Sequence, residues 1–380
     1  MSLGPTDQRF RSSDEVVARL RPSYPVLCLR PTILKRNAQR FIELFPGRVM
    51  YAVKCNPHPL VIQSLYAAGI HDFDTASLSE IGQVMESHAD ATCYYMHPVK
   101  GRASIKMARA AYGIEYFAVD HQAELEKILD EIAAPGIGIV VRLRTEITGD
   151  SVYDLSTKFG CEGSEASDLL RMARVAGCNT GLTFHVGSQC RNPHAFLAGL
   201  SRVGAIISES GIVPNLIDVG GGFPAQYSGL NVPPLTDYMT AIRDGLATLA
   251  LPASTPVFCE PGRALVADAC SLIVQILLRK EDRLYINDGI YGSLSEMFLS
   301  KLRMPVTVVG RTVAPSDRLA PFTLFGPTCD SLDVIPGTFD LPDDLQEGDW
   351  LEIHQLGAYS NALATHFNGF YPETMVLVED

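Results

Sequence analysis

Eight short apolar segments, near residues 49–53, 72–74, 93–96, 116–119, 137–143, 181–186, 216–219 and 256–259, recur at spacings that leave room for a helix between most of them. The intervening stretches, such as 123–132 and 195–208, carry apolar residues at helical period. Strands joined by helices cannot pair as hairpins, so each must return parallel to the one before it. Eight such units over about two hundred residues predict a (β/α)8 TIM-type barrel. An open doubly wound sheet is the competing solution, but no Gly-x-Gly-x-x-Gly follows the first strand.

After Arg263 the pattern changes. Strand-like runs at 265–278, 283–287, 306–310, 322–325, 350–354 and 374–378 are separated by Gly, Pro and Asp clusters, which predicts a mostly antiparallel β domain. The barrel is placed over about 26–263, and the β domain over 1–25 and 264–380. A brief strand at 26–29 precedes the barrel and can pair into the later domain, tying the two ends of the chain together. A helix is expected after a Ser13 cap, running to Leu20, and another from Pro31 to about Leu44.

Hydrophobic residues are 47% and charged residues 19%, enough to bury a large core. A net charge of −12 leaves no basic stripe for phosphate backbones, so nucleic-acid binding is not expected. The nine cysteines form no Cys-x-x-Cys, and the nine histidines show no metal-ligand spacing. No metal site is expected, and free thiols point to a reducing cytoplasm. The longest aliphatic run, 272–278, is too short to span a bilayer, and no charged segment followed by an apolar core marks a secretory leader.

Function in a barrel gathers at the C-terminal ends of its strands. Those ends carry Lys54, Asp74, His97, Asp120, Arg142, His185 with Ser188, the triplet Gly220, Gly221 and Gly222, and Glu260 with Arg263. Lys54 closes the first strand, where a desolvated lysine whose pKa falls becomes a neutral amine able to form a Schiff base. Three glycines after a strand can aim backbone N–H groups at a phosphate, or make a flexible tight turn. Glu260-Pro261-Gly262-Arg263 offers a carboxylate and a guanidinium, or a surface ion pair. His185 can stack on a flat ligand or serve as a hydrogen-bonded structural residue. Ser77 and Glu80 can form a capping box beside Asp74. Taken together they suit pyridoxal 5′-phosphate: a lysine, a phosphate cradle with an arginine, a stacking group and a carboxylate for the ring nitrogen.

The motifs Tyr51-Ala52-Val53-Lys54-Cys55-Asn56, Phe73-Asp74-x-Ala76-Ser77, His185-Val186-Gly187-Ser188, Asp218-Val219-Gly220-Gly221-Gly222-Phe223-Pro224, Glu260-Pro261-Gly262-Arg263 and Gly326-Pro327-Thr328-Cys329-Asp330-Ser331-Leu332-Asp333 resemble those of the fold-type III pyridoxal-phosphate decarboxylases. The ornithine/lysine decarboxylase branch is the most similar, from about residue 25 to 372. The resemblance implies an alanine-racemase-like barrel with a β domain, working as a homodimer with two shared active sites. It implies that Lys54 binds the cofactor covalently, His185 stacks on the ring and Glu260 pairs with its nitrogen. Ser188, the glycines 220–222, Gly262 and Arg263 would hold the phosphate, with Tyr359 reaching it from the β domain. Cys329 would protonate the α-carbon and Asp330 would hold the distal amine of a small amino-acid substrate, both from the partner subunit. Tyr291 and Phe367 match the substrate pocket. Arg142, and Lys158 in Ser156-Thr157-Lys158-Phe159-Gly160, match supporting positions.

A carboxylate at the pyridine nitrogen keeps the ring protonated and the electron sink strong, whereas racemases of this fold place an arginine there. Glu260 therefore favours decarboxylation. One position departs from the ornithine pattern: nine residues after Tyr291, where those enzymes carry an aspartate, this chain has Ser300. Glu296, four residues earlier, is a candidate replacement. The expected activity is decarboxylation of ornithine or lysine to a diamine in polyamine synthesis. The alternatives are a decarboxylase of diaminopimelate, carboxynorspermidine or arginine, an amino-acid racemase, or a regulatory homologue without activity.

Overall fold

Eight parallel strands close into a barrel in the computed structural model, which describes residues 8–132, 135–145, 151 and 157–380. The strands are Arg48–Ala52, Asp72–Thr75, Thr92–Tyr95, Tyr116–Val119, Gly138–Leu143, Asn179–Phe184, Leu216–Asp218 and Val257–Cys259, and the last pairs with the first. Each falls within about two residues of its sequence-based position. Ser156 and residues 1–7 lie outside the described residues.

The helices between them begin and end where local chemistry dictates. Pro31 and Pro59 open their helices at the first turn, where no N–H is needed. Gly113 and Gly211 close theirs in the left-handed conformation that a side chain disfavours. The first helix is Ser13–Leu20, and its cap is Ser12, one residue before the expected Ser13; the Ser12 side chain accepts from the Glu15 N–H. Ser13 instead turns inward to hydrogen-bond Glu352.

Inside the barrel, Met50, Tyr94, Met96, Ala118, Val140, Leu216 and Phe258 form their own buried cluster. They plug the interior in the way side-chain layers fill this architecture, leaving function to the rim. Outside, Phe223 lies between Phe41 (5.3 Å, edge-on) and Phe196 (4.7 Å, stacked) and anchors the loop that follows the glycine triplet.

Residues 265–269 do not extend the following strand as expected. They form a helical turn, Arg263–Val266, and a 3-10 turn, Ala267–Ala269, before Cys270–Lys280 begins. A short apolar run fits either conformation, and here Leu265, Val266 and Ala267 are buried as a helix. The mostly antiparallel sheet contains Val26–Leu29, Cys270–Lys280, Arg283–Ile286, Val306–Val309, Leu319–Phe325, Phe339–Pro342, Trp350–Ile353 and Thr374–Val378. Val26–Leu29 pairs antiparallel with Cys270–Lys280 and parallel with Thr374–Val378, joining both ends of the chain. Under it, Arg30 donates to Glu352 (3.0 Å) and to the hydroxyls of Ser271 (2.8 Å) and Ser13 (3.1 Å). Asn56, just past Lys54, donates to the Gly357 carbonyl at 2.9 Å, so the lysine turn is fastened to the β domain. Among the described residues no helix is long and apolar enough to cross a membrane.

Candidate active site

Where the first barrel strand ends, Val53–Cys55 makes one 3-10 turn, which aims Lys54 over the barrel mouth. Its Nζ lies 2.6 Å from Asp74 at the end of the second strand. The Lys54 side chain is 41% exposed while Asp74 is 1% exposed. That exposure is to a cavity of about 340 Å³ lined by Lys54, Asp74, His97, Arg142, His185 and Arg263, among others. Burial alone pushes the lysine towards neutrality, but the adjacent Asp74 carboxylate pushes its pKa above the usual range. Asp74 thus opposes the neutral amine that burial alone would favour. Ser77 caps the next helix as expected, accepting from the Glu80 N–H at 3.2 Å. The Glu80 carboxylate accepts from Ala76 rather than from Ser77.

Across the mouth, Glu260 ends the eighth strand. Its carboxyl is pushed well above the usual range, first by burial and then by the charges of Asp218 and Asp74. Burial also raises Asp218, to about 6, against the hydrogen bonds it receives from the Gly220 N–H (2.9 Å) and Thr183 (2.7 Å). The strand-end motif named Asp218 without giving it a role, because an aspartate before glycines reads as turn chemistry. A buried Glu260 carboxyl that favours its proton, with Asp218 beside it, can pass that proton to a ring nitrogen and face it as a carboxylate. His185 completes the wall. Burial and the nearby Arg142 and Lys54 push its pKa well down, so the imidazole is neutral, and its Nδ1 accepts from the Gly187 N–H at 3.0 Å.

The glycine triplet is packed too closely for any side chain. A Cβ on Gly220 would meet the Phe184 carbonyl oxygen at 1.9 Å, and one on Gly221 would meet the Glu260 oxygen at 2.6 Å and His185 Nε2 at 2.9 Å. Gly222, at φ 103°, takes a conformation that side chains avoid. Beside the triplet, Arg263 donates through Nη1 to Tyr227 (3.0 Å) and through Nη2 to Ser188 (3.3 Å), with the Tyr359 ring 5.0 Å from its guanidinium. Its Nε is buried with no hydrogen-bond partner. A buried guanidinium donor with nothing to donate to lacks an acceptor, and a phosphate oxygen is one. These residues fit pyridoxal 5′-phosphate.

The other expected residues divide between the cavity and its surroundings. Gly262 backs the lysine turn, where a Cβ would meet Cys55 at 2.9 Å. Arg142 lines the cavity with its guanidinium 5.4 Å from the Phe159 ring. Lys158 sits over the same ring, 4.9 Å away. Asp120 accepts from the Gly160 N–H outside the cavity. Cys329 is exposed, with Sγ 3.2 Å from Asn368 Oδ1, and does not line the cavity. Asp330 accepts from the Tyr291 hydroxyl at 2.5 Å, which holds its carboxyl below the usual range. Phe367 packs against Tyr291, 4.8 Å between rings. Cys329, Asp330, Tyr291 and Phe367 therefore form a second cluster, apart from Lys54.

Two substrate candidates have partners of their own. Ser300 ends the helix Ser295–Ser300 and donates to the Glu296 carbonyl at 2.5 Å, so its hydroxyl is committed to its own helix. Glu296 lines the cavity and is paired with Arg263 at 2.6 Å, so its carboxylate already has a cationic partner. Met96, Pro98, Phe159, Leu299 and Leu363 supply apolar walls that sequence reading had not assigned to the site. Nothing in their spacing marks them out from core residues.

The pyridoxal binding domain of the pyridoxal-dependent decarboxylases matches residues 32–267. A lysine/ornithine decarboxylase of Selenomonas ruminantium is 33% identical over 98% of this chain and 95% of its own length. Lysine/ornithine decarboxylase from Vibrio vulnificus, solved with putrescine, superposes with a TM-score of 0.83 at 31% identity, covering 97% of this chain and 99% of the other. Arginine decarboxylase of Paramecium bursaria Chlorella virus, solved with agmatine, gives a TM-score of 0.85 at 28% identity, over 96% and 98%.

Proposed function

The chain belongs to the pyridoxal-dependent decarboxylase family, and on that premise we propose that it converts L-ornithine and L-lysine to CO2 and the corresponding diamines, as a step towards polyamines. The observation that carries this reading is a single cavity lined by Lys54, His185 and an Arg263 with an unpartnered donor, at the rim that Glu260 also closes. When bound, pyridoxal phosphate supplies an electron sink for the pair left behind by CO2.

In this reading Lys54 anchors the cofactor covalently, and Asp74 keeps the amine charged and oriented until then. Glu260, backed by Asp218, keeps the ring nitrogen protonated. His185 stacks on the ring. Arg263, Ser188, Tyr359 and the glycines 220–222 hold the phosphate, and Arg142 borders the same cavity.

The distal ammonium of a basic amino acid needs a carboxylate partner when it leaves water. Both carboxylates of the Lys54 cavity named above are engaged, Asp74 with Lys54 and Glu296 with Arg263. Asp330 is half-buried in the second cluster, beside Cys329. We therefore assign Asp330 and Cys329 to the site of a second copy in a head-to-tail homodimer, where Cys329 delivers a proton to the α-carbon. None of the nine cysteines is in a disulfide, which supports a reducing, cytoplasmic setting.

Borohydride treatment of the loaded protein, followed by peptide mapping, tests the cofactor assignment. Reduction should fix the cofactor on Lys54, and Lys54→Ala should lose both the label and CO2 release. Label on a different lysine would overturn the assignment.

A further inference from the structure

The Arg263–Glu296 pair is buried at the phosphate seat, with side chains 2% and 1% exposed and Nη2 2.6 Å from Oε1. Besides Glu296, the groups facing the guanidinium are the Tyr227 and Ser188 hydroxyls, the Tyr359 ring and the Cys55 thiol. Burial pushes the Tyr227, Tyr359 and Cys55 pKa values well above neutral pH, so these three carry no charge. Glu296 is the anion that balances Arg263.

A guanidinium binds phosphate best through two parallel N–H donors along one edge. On Arg263 the edge formed by Nε and Nη2 is half available: Nε has no partner, while Nη2 carries the Glu296 carboxylate. We infer that Glu296 is a built-in competitor for the phosphate seat, so that the cofactor's phosphate loads against an anion already on Arg263 and this competition sets the affinity for pyridoxal phosphate. The inference rests on the cofactor reading above.

The arrangement has a physical logic. A buried arginine without a counter-charge is strongly destabilising, and Glu296 supplies the counter-charge before loading. A phosphate dianion then arrives beside a carboxylate in a weakly screened site, where like charges repel more than they do in water. The cofactor is retained by Lys54 and the ring contacts, with the phosphate contributing less than an unopposed arginine would give.

The test compares cofactor-free wild type with Glu296→Gln by equilibrium titration with pyridoxal phosphate and with pyridoxal, which lacks the phosphate. Glu296→Gln should bind pyridoxal phosphate about tenfold more tightly or better, and should leave pyridoxal binding unchanged. Inorganic phosphate should compete with pyridoxal phosphate at lower concentration in the variant than in wild type. Glu296→Asp, which keeps the charge, should stay close to wild type. If Glu296→Gln does not fold, Glu296→Met, free of charge and matched to a buried site, replaces it. Unchanged or weaker binding of pyridoxal phosphate would overturn the inference and leave Glu296 as a support that merely holds Arg263 in place. Equal tightening for pyridoxal would overturn it too, because the effect would not lie at the phosphate. Failure of the cofactor reading looks different: neither protein would then take up either compound at Lys54, and the inference falls with it.

Discussion

Mixing two inactive variants measures how the site is divided between subunits. Lys54→Ala removes the anchor inside the cavity, and Cys329→Ala removes the thiol of the exposed cluster that does not line it. If the two act across a dimer interface, each homodimer has two damaged sites. In a mixed dimer, one site combines both damaged residues, and the other combines an intact Lys54 with an intact Cys329. Random reassociation makes half of the dimers mixed, each with one working site of two, so about a quarter of wild-type activity returns. The assay is CO2 release after the subunits are dissociated and reassociated, with differently tagged chains to confirm exchange. No recovery after confirmed exchange would refute the division and put both residues in one chain's site.

Further outcomes follow from single contacts. Glu352→Ala leaves Arg30 with only the more exposed Asp380 as a carboxylate partner and strands the Ser13 and Ser271 hydroxyls, which should cost about 3 kcal/mol in denaturant unfolding. Burial acts to raise the Glu352 pKa, but the Ser271 and Ser13 hydroxyls, His354 and Arg30 outweigh it and hold it below 4.5. Its contribution is therefore complete above that value and lost as pH falls through the depressed folded value, so Glu352→Gln should flatten the acid limb of Tm against pH. Phe223→Ala should cost about 3–5 kcal/mol, because the ring is wedged between Phe41 and Phe196. Asp330→Ala should raise KM for both L-ornithine and L-lysine about tenfold or more, in line with a lost charge-assisted hydrogen bond of roughly 1.5–3 kcal/mol.

The barrel was legible because alternating strands and helices admit few closed solutions, and because Lys54, Glu260 and the glycine triplet sit where barrels present chemistry. Phe339–Pro342 was not, since four residues that include a proline, flanked by turn residues, carry no strand period of their own. The partners of Ser300 and Glu296 were hidden for a related reason. Spacing from Tyr291 says how far along the chain a residue lies, but not which way a six-residue helix turns it. Asp218 was hidden by its glycine neighbours, and its role emerges only from the carboxyl that burial places against it. Leu299 and Leu363 look like core residues in sequence, and only the cavity shows them as walls.

The decisive measurement is product formation by the loaded protein from a panel of amino acids, with CO2 and amine both quantified. L-Ornithine and L-lysine are both expected to react, yielding putrescine and cadaverine, because Asp330 offers one carboxylate to a distal ammonium and Ser300 supplies no second. No diamine from either, with turnover of an amino acid that lacks a distal cation, would contradict the reading of the site.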